Sequence, residues 1–126
     1  MDKLANKLVL IVDDDDRNIF ALSSYLGSFD LRIISAENGE DAITLLREGA
    51  RPDIILLDIM MPIMDGYETL AVLKQDDELK KIPVVAVTAR AMKGDREKCM
   101  EAGAWDYVSK PVDLTILMEK INKWIL

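Results

Sequence analysis

The sequence contains no histidine and only one cysteine, Cys99, among its 126 residues. Without histidine, the chain cannot build an imidazole-based catalytic triad or a histidine metal site. A single cysteine excludes an internal disulfide and a metal site made of several cysteines. Any chemistry that needs a phosphorylated histidine must therefore obtain it from another protein.

Long apolar runs and an excess of basic residues are also missing. No run reaches membrane-spanning length and no signal peptide pattern is present, so we expect a cytoplasmic protein without membrane insertion. The 23 acidic residues outnumber the 16 basic ones, for a formal net charge of −7. This charge disfavours nucleic acid as a partner and suits a cation or a basic surface. The length predicts a single domain over residues 1–126.

Short apolar strands alternate with amphipathic helices along the chain. Apolar runs near 8–12, 31–35, 54–57, 83–87 and 105–108 predict five strands, and the helical spacing of apolar residues after each predicts five helices. The fourth helix is expected from about 92 to 102, and 75–81 is expected to be a charged loop. This alternation is typical of an α/β fold with a parallel sheet and helices on both faces.

The third predicted strand, Ile54 to Leu57, ends directly on Asp58. An uninterrupted apolar run of this kind is typical of a strand that is buried on both faces of a parallel sheet. Open α/β sheets bind ligands at the carboxyl ends of their strands, which makes Asp58 a candidate reactive group. Taken alone, Asp58 could equally well cap the next turn.

Polar side chains also follow other predicted strands. Asp13 and Asp14 follow the first, Thr88 follows the fourth, and Lys110 stands two residues after the fifth. In a parallel sheet these ends share one edge, where they would meet Asp58. Three neighbouring carboxylates need a compensating charge, and Mg²⁺ is the predicted cofactor because it prefers oxygen ligands.

Two simpler interpretations concern the acidic run after the first strand. An EF-hand calcium loop is disfavoured, because Arg17 and Asn18 stand where an oxygen ligand and a glycine are needed. Asp15 and Asp16 begin the first helix, and acidic residues there complement the helix dipole. Only the two preceding aspartates are therefore assigned to the metal.

Together these motifs resemble the receiver domain of two-component response regulators, from about Leu8 to Trp124. The matching segments, similar to the family in order and spacing, are Val12-Asp13-Asp14, Asp58-Ile-Met-Met-Pro62, Asp65-Gly66, Val87-Thr88-Ala89, Ala102-Gly103-Ala104 and Asp106-Tyr-Val-Ser-Lys110-Pro111. The resemblance implies a flavodoxin-like, doubly wound (βα)5 fold with strand order 2-1-3-4-5. The segments 16–22 and 89–95 resemble most the receivers of hybrid histidine kinases. Nothing follows the last helix, so two interpretations stay open. The chain is either a receiver excised from a longer or hybrid-type protein, or a freestanding regulator.

The resemblance implies that Asp58 is the phosphoacceptor, a carboxylate nucleophile that forms an aspartyl-phosphate. The donor would be a histidine of a kinase or of a histidine phosphotransfer protein. Asp13, Asp14, Asp58 and the backbone carbonyl of Met60 would hold Mg²⁺, which offsets charge on the phosphoryl group.

The same resemblance assigns roles to the residues around Asp58. Lys110 would pair with a phosphoryl oxygen, or with Asp58 in the resting state, and the Lys110–Pro111 peptide is expected to be cis. Thr88 would hydrogen-bond the phosphoryl group. Ala89 is small and leaves the site open to a donor, while Met60 and Arg90 flank it.

A response to phosphorylation is implied as well. Thr88 would move toward the phosphate and Tyr107 would rotate inward behind it, which changes the surface of the fourth helix, fifth strand and fifth helix for a downstream protein partner. The expected function is therefore a phosphoacceptor, not an enzyme beyond its own phosphorylation and dephosphorylation.

Two other functions remain as alternatives. A phosphohydrolase of the haloacid dehalogenase type needs a second acidic residue two positions after the nucleophile, where this sequence has Met60, and a cap for which the chain has no room. A receiver-fold interaction module that is not phosphorylated usually lacks one of the acidic residues or the lysine, and all of them are present here. Mg²⁺-dependent phosphorylation separates these possibilities.

Overall fold

A computed structural model, which describes residues 4–89 and 94–125, contains one five-stranded parallel sheet flanked by helices. The strands are β1 (Leu8–Val12), β2 (Arg32–Ala36), β3 (Ile54–Asp58), β4 (Val84–Thr88) and β5 (Asp106–Ser109). The helices are α1 (Asp16–Gly27), α2 (Gly39–Arg47), α3 (Gly66–Gln75), α4 (Asp95–Ala102) and α5 (Leu114–Trp124). No helix within the described ranges is both long and apolar enough to cross a membrane.

The strand order is β2-β1-β3-β4-β5, so the predicted α/β fold and its topology are confirmed. Element ends differ from the sequence prediction by a residue or two, and 90–93, which includes the predicted start of the fourth helix, lies outside the described residues. The predicted loop 75–81 contains a 3-10 turn, Leu79–Lys81. It forms because the Asp76 carboxylate accepts hydrogen bonds from the Glu78 and Leu79 amides, and Leu79 inserts into the core.

The sheet has a hydrophobic core on each face, which explains the uninterrupted apolar runs of its central strands. Alternate residues of one strand enter opposite cores: Ile55 and Leu57 of β3 face one, and Ile54 and Leu56 face the other. The first core is covered by α2, α3 and α4, and the second by α1 and α5. All ten residues of β3 and β4 are consequently buried.

Side-chain caps fix the helix starts at the carboxyl edge of the sheet. Asp15 accepts a hydrogen bond from the Arg17 amide at the start of α1, and Asp65 forms a capping box with Glu68 at the start of α3. Asp113 caps α5, and its carboxylate accepts hydrogen bonds from the Thr115 and Ile116 amides. Because caps satisfy backbone amides that lack helical partners, they hold the loops after the strands in place.

Asp106 joins β5 to α5 near the opposite edge. Its buried carboxylate accepts hydrogen bonds from Lys120 Nζ (2.9 Å), Trp124 Nε1 (2.8 Å) and the Tyr107 amide (2.9 Å). Burial alone would raise the pKa of Asp106, but these hydrogen bonds and the charge of Lys120 outweigh it and lower that pKa. Trp124 also packs edge-to-face on Trp105, with ring centroids 5.3 Å apart.

Gly66 allows α3 to start very close to the end of β3. Its amide donates to the Ile59 carbonyl (2.9 Å). A Cβ at this position would lie 2.6 Å from Ile59 Cα and 2.9 Å from the Asp58 carbonyl oxygen. Both are backbone atoms, so a side chain here would have to move the segment that carries Asp58.

We therefore expect Gly66→Ala to lower the free energy of unfolding by about 1–3 kcal/mol, the usual cost of overpacking. Gly27→Ala is the matched control, because a Cβ at the end of α1 would meet no atom within 4 Å. Alanine there should stabilise the helix by about 0.5–1 kcal/mol. Urea unfolding of both variants measures the difference, and equal losses would contradict this account of Gly66.

Candidate functional site

The carboxyl edge of the sheet brings together four of the predicted site residues. Asp13 and Asp58 are both 3% exposed, whereas Asp14 is exposed. One carboxylate oxygen from each of the three lies within 4.8 Å of the others. Lys110 Nζ is 3.3 Å from Asp13 Oδ2 and 3.3 Å from Asp58 Oδ2. The ammonium group therefore bridges the two buried carboxylates, and the third carboxylate lies toward solvent.

Asp13 is held by hydrogen bonds from the first turn of α1. The Asp15 amide donates to Asp13 Oδ1 (2.9 Å), and the side-chain amide of Asn18 donates to Asp13 Oδ2. Sequence analysis considered Asn18 only as a mismatch to a calcium loop and missed this contact. The available signal was its place in the first turn of the helix that follows Asp13.

Asp58 lies in a buried, low-dielectric environment. Burial raises the pKa of Asp58 to about 6; Lys110 and the Met60 amide act against this rise, and Asp13 adds to it. Burial alone would lower the pKa of Lys110, but the charges of Asp58 and Asp13 raise it above its usual value. The ammonium group of Lys110 thus forms ion pairs with both buried carboxylates.

The oxygen atoms of this cluster suit a hard divalent cation such as Mg²⁺. They are carboxylate oxygens, which such ions prefer, and they lie close enough together to share one ion. Burial is the largest cause of the raised pKa of Asp58, and a cation beside this carboxylate would favour its ionised form. Asp13, Asp14 and Asp58 are the residues that would hold the ion. The Met60 amide donates to Asp58 Oδ1 (3.1 Å), and a role for its carbonyl stays a prediction.

The other residues predicted around Asp58 follow β4 and β5. Thr88 ends β4, is 2% exposed, and accepts the Lys110 amide on its carbonyl (2.8 Å). Pairing of β4 with β5 thereby sets the position of Lys110. The Lys110–Pro111 peptide is cis. Ala89 is exposed, and Arg90 lies outside the described residues.

Tyr107 lies on β5, in register with Ala86 of β4, and packs half-buried against the core beneath α4. Burial raises the pKa of its hydroxyl, and the nearby charges of Asp95 and Cys99 add to the rise. The neighbouring residue, Asp106, is bound to α5. This short stretch of β5 therefore contacts the core beneath α4 through Tyr107 and α5 through Asp106.

A second acidic group borders the site at the ends of β1 and β2. A hydrogen bond to the Asp16 carboxyl raises the pKa of Glu37, and the charges of Asp16 and Asp41 contribute to the same rise. All three side chains are exposed. The negative charge of the site therefore extends over the neighbouring surface.

The pKa of Asp58 also predicts a pH-dependent effect on stability. The pKa of Asp58 is about 6 in the folded chain, above its ordinary 3.8, so the folded chain binds this proton more tightly. The free energy of unfolding therefore falls as pH rises from about 4 through about 6. Without divalent cations, we expect Asp58→Asn to raise the free energy of unfolding by about 1–3 kcal/mol at pH 7.5 and to change it little at pH 4.

Asp106→Asn is the control for this experiment, because the lowered pKa of Asp106 predicts the opposite sign. Its carboxylate stabilises the fold above the ordinary pKa, and this stabilisation is lost as pH falls through the lower folded value. Asp106→Asn should therefore destabilise the protein at pH 7.5. Urea unfolding in EDTA measures both variants. A loss of stability in Asp58→Asn at pH 7.5 would contradict the assigned environment.

Known proteins are similar to this chain in sequence or in fold over nearly its whole length. The polar-differentiation response regulator DivK of Brucella anthropi is 41% identical over 119 residues, which cover 94% of this chain and 96% of that protein. The receiver domain of sensor histidine kinase PA1611 from Pseudomonas aeruginosa, crystallised with magnesium in its active-site cleft, is 32% identical with a TM-score of 0.86, and the match covers 96% of this chain and 98% of that one.

A third similar structure is the receiver domain of the response regulator Ssk1 of Saccharomyces cerevisiae, in complex with the histidine phosphotransfer protein Ypd1. It is 28% identical with a TM-score of 0.88, and the match covers 97% of this chain and 90% of that one. Residues 9–122 match the response regulator receiver domain family. This chain belongs to that family and is a receiver domain of two-component signalling.

Proposed function

We propose that residues 1–126 form a single receiver domain that accepts a phosphoryl group on Asp58 from a histidine of a partner protein, with Mg²⁺ as cofactor. The observation that carries the proposal is the buried Asp58 carboxylate, paired with Lys110 and bordered by Asp13 and Asp14. Residues 1–126 contain no histidine, so the donor histidine has to lie outside them. The crystallised complex of the similar Ssk1 receiver with a histidine phosphotransfer protein supports a partner of this kind.

In the proposed reaction, a carboxylate oxygen of Asp58 attacks the phosphorus of a phosphohistidine. The new P–O bond forms as the P–N bond breaks, and the imidazole nitrogen keeps the electron pair and then takes a proton from solvent. Bound Mg²⁺, held by Asp13, Asp14, Asp58 and the Met60 carbonyl, would offset negative charge on the transferring group.

Lys110 and Thr88 would then stabilise the phosphorylated form. Lys110 already lies 3.3 Å from Asp58 Oδ2, so a small movement would bring its ammonium group onto a phosphoryl oxygen. Thr88 ends the strand next to β3 and would donate its hydroxyl to a second oxygen. The product is a modified domain rather than a released molecule, so the domain is a phosphoacceptor and not an enzyme acting on other substrates.

We infer that the phosphorylated form signals through the surface of α4, β5 and α5. Thr88 and Tyr107 lie on paired strands, and Tyr107 packs beneath α4. A shift of Thr88 toward the phosphoryl group would leave space into which Tyr107 can turn. The adjoining Asp106 links the same stretch of β5 to α5, which supports a response that includes both helices.

Intact mass after incubation with acetyl phosphate and Mg²⁺ tests the phosphoacceptor. We expect a single phosphate adduct on the wild type that depends on Mg²⁺ and is absent in Asp58→Asn, because the nucleophile is missing. Asp53→Asn is the control, since Asp53 stands at the other end of β3 and accepts the Leu8 amide. An adduct that persists in Asp58→Asn would assign the reaction to another residue. No adduct with acetyl phosphate or a histidine donor would favour an interaction module.

Tyr107→Ala tests the output surface. We expect phosphorylation of Asp58 by acetyl phosphate to stay within about twofold of the wild type, because Tyr107 is not among the residues proposed to hold Mg²⁺ or the phosphoryl group. The phosphorylation-dependent change in amide hydrogen exchange of α4 and α5 should be lost. Tyr107→Phe keeps the ring and should retain that change. Identical exchange responses in the wild type and Tyr107→Ala would refute a role for this side chain.

A further inference from the structure

The connection between β2 and α2, residues 36–39, contacts both loops from which the cation ligands come. We call this segment the brace. At its first residue, the Ala36 carbonyl accepts a hydrogen bond from the Asp13 amide (3.1 Å). At its last residue, the Gly39 amide donates to the Met64 carbonyl (3.3 Å) in the loop after β3. One short segment therefore joins the loop of the acidic ligands to the loop after β3.

The end of the loop after β3 is fixed by α3 as well as by the brace. Thr69 Oγ1 of α3 donates to the Asp65 carbonyl (2.8 Å), and the Thr69 side chain is buried. Asp65 follows Met64, so α3 and the brace bind neighbouring carbonyls of this loop. The Met60 carbonyl, which would hold the cation, belongs to the same loop.

The loop also contains a strained turn at Ile63. The φ of Ile63 is 70°, and the Met64 amide donates to the Pro62 carbonyl (2.8 Å), which together form a γ-turn with a positive central φ. Such turns are rare, and β-branched residues avoid positive φ. Strained conformations persist only where the surrounding structure holds them. Met64 closes this turn and is also the residue that the brace binds, so the brace helps to hold the loop in its strained form.

Gly39 packs too closely against the loop and α3 to carry a side chain. A Cβ there would overlap Thr69 Oγ1, and it would lie 2.9 Å from the Met64 carbonyl oxygen and 3.1 Å from Met64 Cγ. Alanine would otherwise be favourable at a helical position. A side chain at position 39 would therefore push the end of the loop away from the brace, and so away from Asp13.

The distance between the two loops matters for the choice of cation. Mg²⁺ demands nearly octahedral geometry with short ligand distances, whereas Ca²⁺ is larger and tolerates irregular arrangements. The ligands proposed for the cation come from both loops, which the brace joins. A site whose two halves are held at a fixed distance suits the cation that tolerates less variation.

We propose that the brace fixes the distance between the two halves of the cation site and thereby selects Mg²⁺ over Ca²⁺, with Gly39 as the positioning residue. The inference rests on the proposed function, because its cation is the one proposed to bind beside Asp58. Gly39 is not itself a ligand and acts through the loop that it contacts. Residues that support ligands from outside commonly tune the affinity of a metal site.

Cation competition tests the inference. Mn²⁺ shares the preference for oxygen ligands, and electron paramagnetic resonance counts the free ion. Mg²⁺ or Ca²⁺ is added to displace Mn²⁺ from the wild type and from Gly39→Ala, and binding that remains in Asp13→Asn is subtracted as background. We expect Gly39→Ala to bind Mg²⁺ about tenfold more weakly. Its Ca²⁺ affinity should change less than about threefold, because Ca²⁺ accepts a displaced ligand.

A second variant lengthens the brace without adding a side chain. One glycine is inserted between Glu37 and Asn38, which keeps Asn38 as the cap of α2. The longer brace should no longer fix the distance between the loops, so Mg²⁺ affinity should fall more than Ca²⁺ affinity here as well. This variant avoids the overlap of Gly39→Ala, and the two variants change the brace by different means.

Three controls separate a displaced loop from a damaged fold. Gly27→Ala adds a Cβ that meets no atom within 4 Å, and should leave both affinities unchanged. Ile121→Val lowers stability in the second core, and should lower the melting temperature without changing the ratio of Mg²⁺ to Ca²⁺ affinity. Adding Thr69→Ala to Gly39→Ala removes the overlapping hydroxyl, and should restore part of the Mg²⁺ affinity relative to Thr69→Ala alone.

Two results would overturn the role of the brace. One is an unchanged Mg²⁺ affinity in both brace variants, and the other is an equal loss of Mg²⁺ and Ca²⁺ affinity. Failure of the proposed function is distinguishable, because Mn²⁺ binding is measured without phosphoryl transfer. A wild type that binds Mn²⁺ and prefers Mg²⁺, but forms no phosphate adduct, would overturn the phosphoacceptor alone. A wild type that binds no Mn²⁺ would overturn both the proposed cofactor and the brace.

Discussion

The structure of the site depends on one ammonium group placed between two buried carboxylates. Lys110 lies 3.3 Å from both Asp13 and Asp58, and the two acids would repel one another strongly without it. Burial still raises the pKa of Asp58, although Lys110 acts against the rise. Two carboxylates share one ammonium group here, and a bound cation would offset the remaining negative charge. The site also holds its lysine beside the carboxylate that we propose is phosphorylated.

The parallel sheet makes this arrangement possible because it brings residues that are distant in the chain to one edge. Asp13 follows β1, Asp58 ends β3 and Lys110 follows β5. β1 and β3 each pair with a strand on both sides, and the Lys110 amide donates to the Thr88 carbonyl at the end of β4. Caps at the starts of α1 and α3, together with the close approach of Gly66 to β3, then fix the connecting loops. The reactive groups are therefore positioned by the strands of the sheet and by loops that both caps and close packing hold in place.

The carboxyl edge of the sheet and the surface of α4, β5 and α5 would have different roles in the proposed function. The carboxyl edge carries the acidic cluster with Asp58, which we propose receives the phosphoryl group. Beneath α4, Tyr107 lies between the site and the helices that we propose carry the signal onward. Asp106, which precedes Tyr107 on β5, accepts hydrogen bonds from Lys120 and Trp124 and so joins the strand to α5. In the proposed function, β4 and β5 would link the phosphorylated site to these helices.

The sequence alone determined the fold and most of the candidate site. Apolar strands that alternate with helices of regular spacing predict a parallel sheet covered on both faces, and the strand ends predict where Asp13, Asp14, Asp58 and Lys110 meet. The strand order came from the resemblance to the receiver family. Local patterns of this kind are readable because each element buries its own apolar face. Only the tertiary structure decided the contact of Asn18 with Asp13, the three hydrogen bonds on Asp106, and the strained turn at Ile63. Those features arise where separate elements meet or where a loop is held from both ends, and no local pattern of residues encodes such distances.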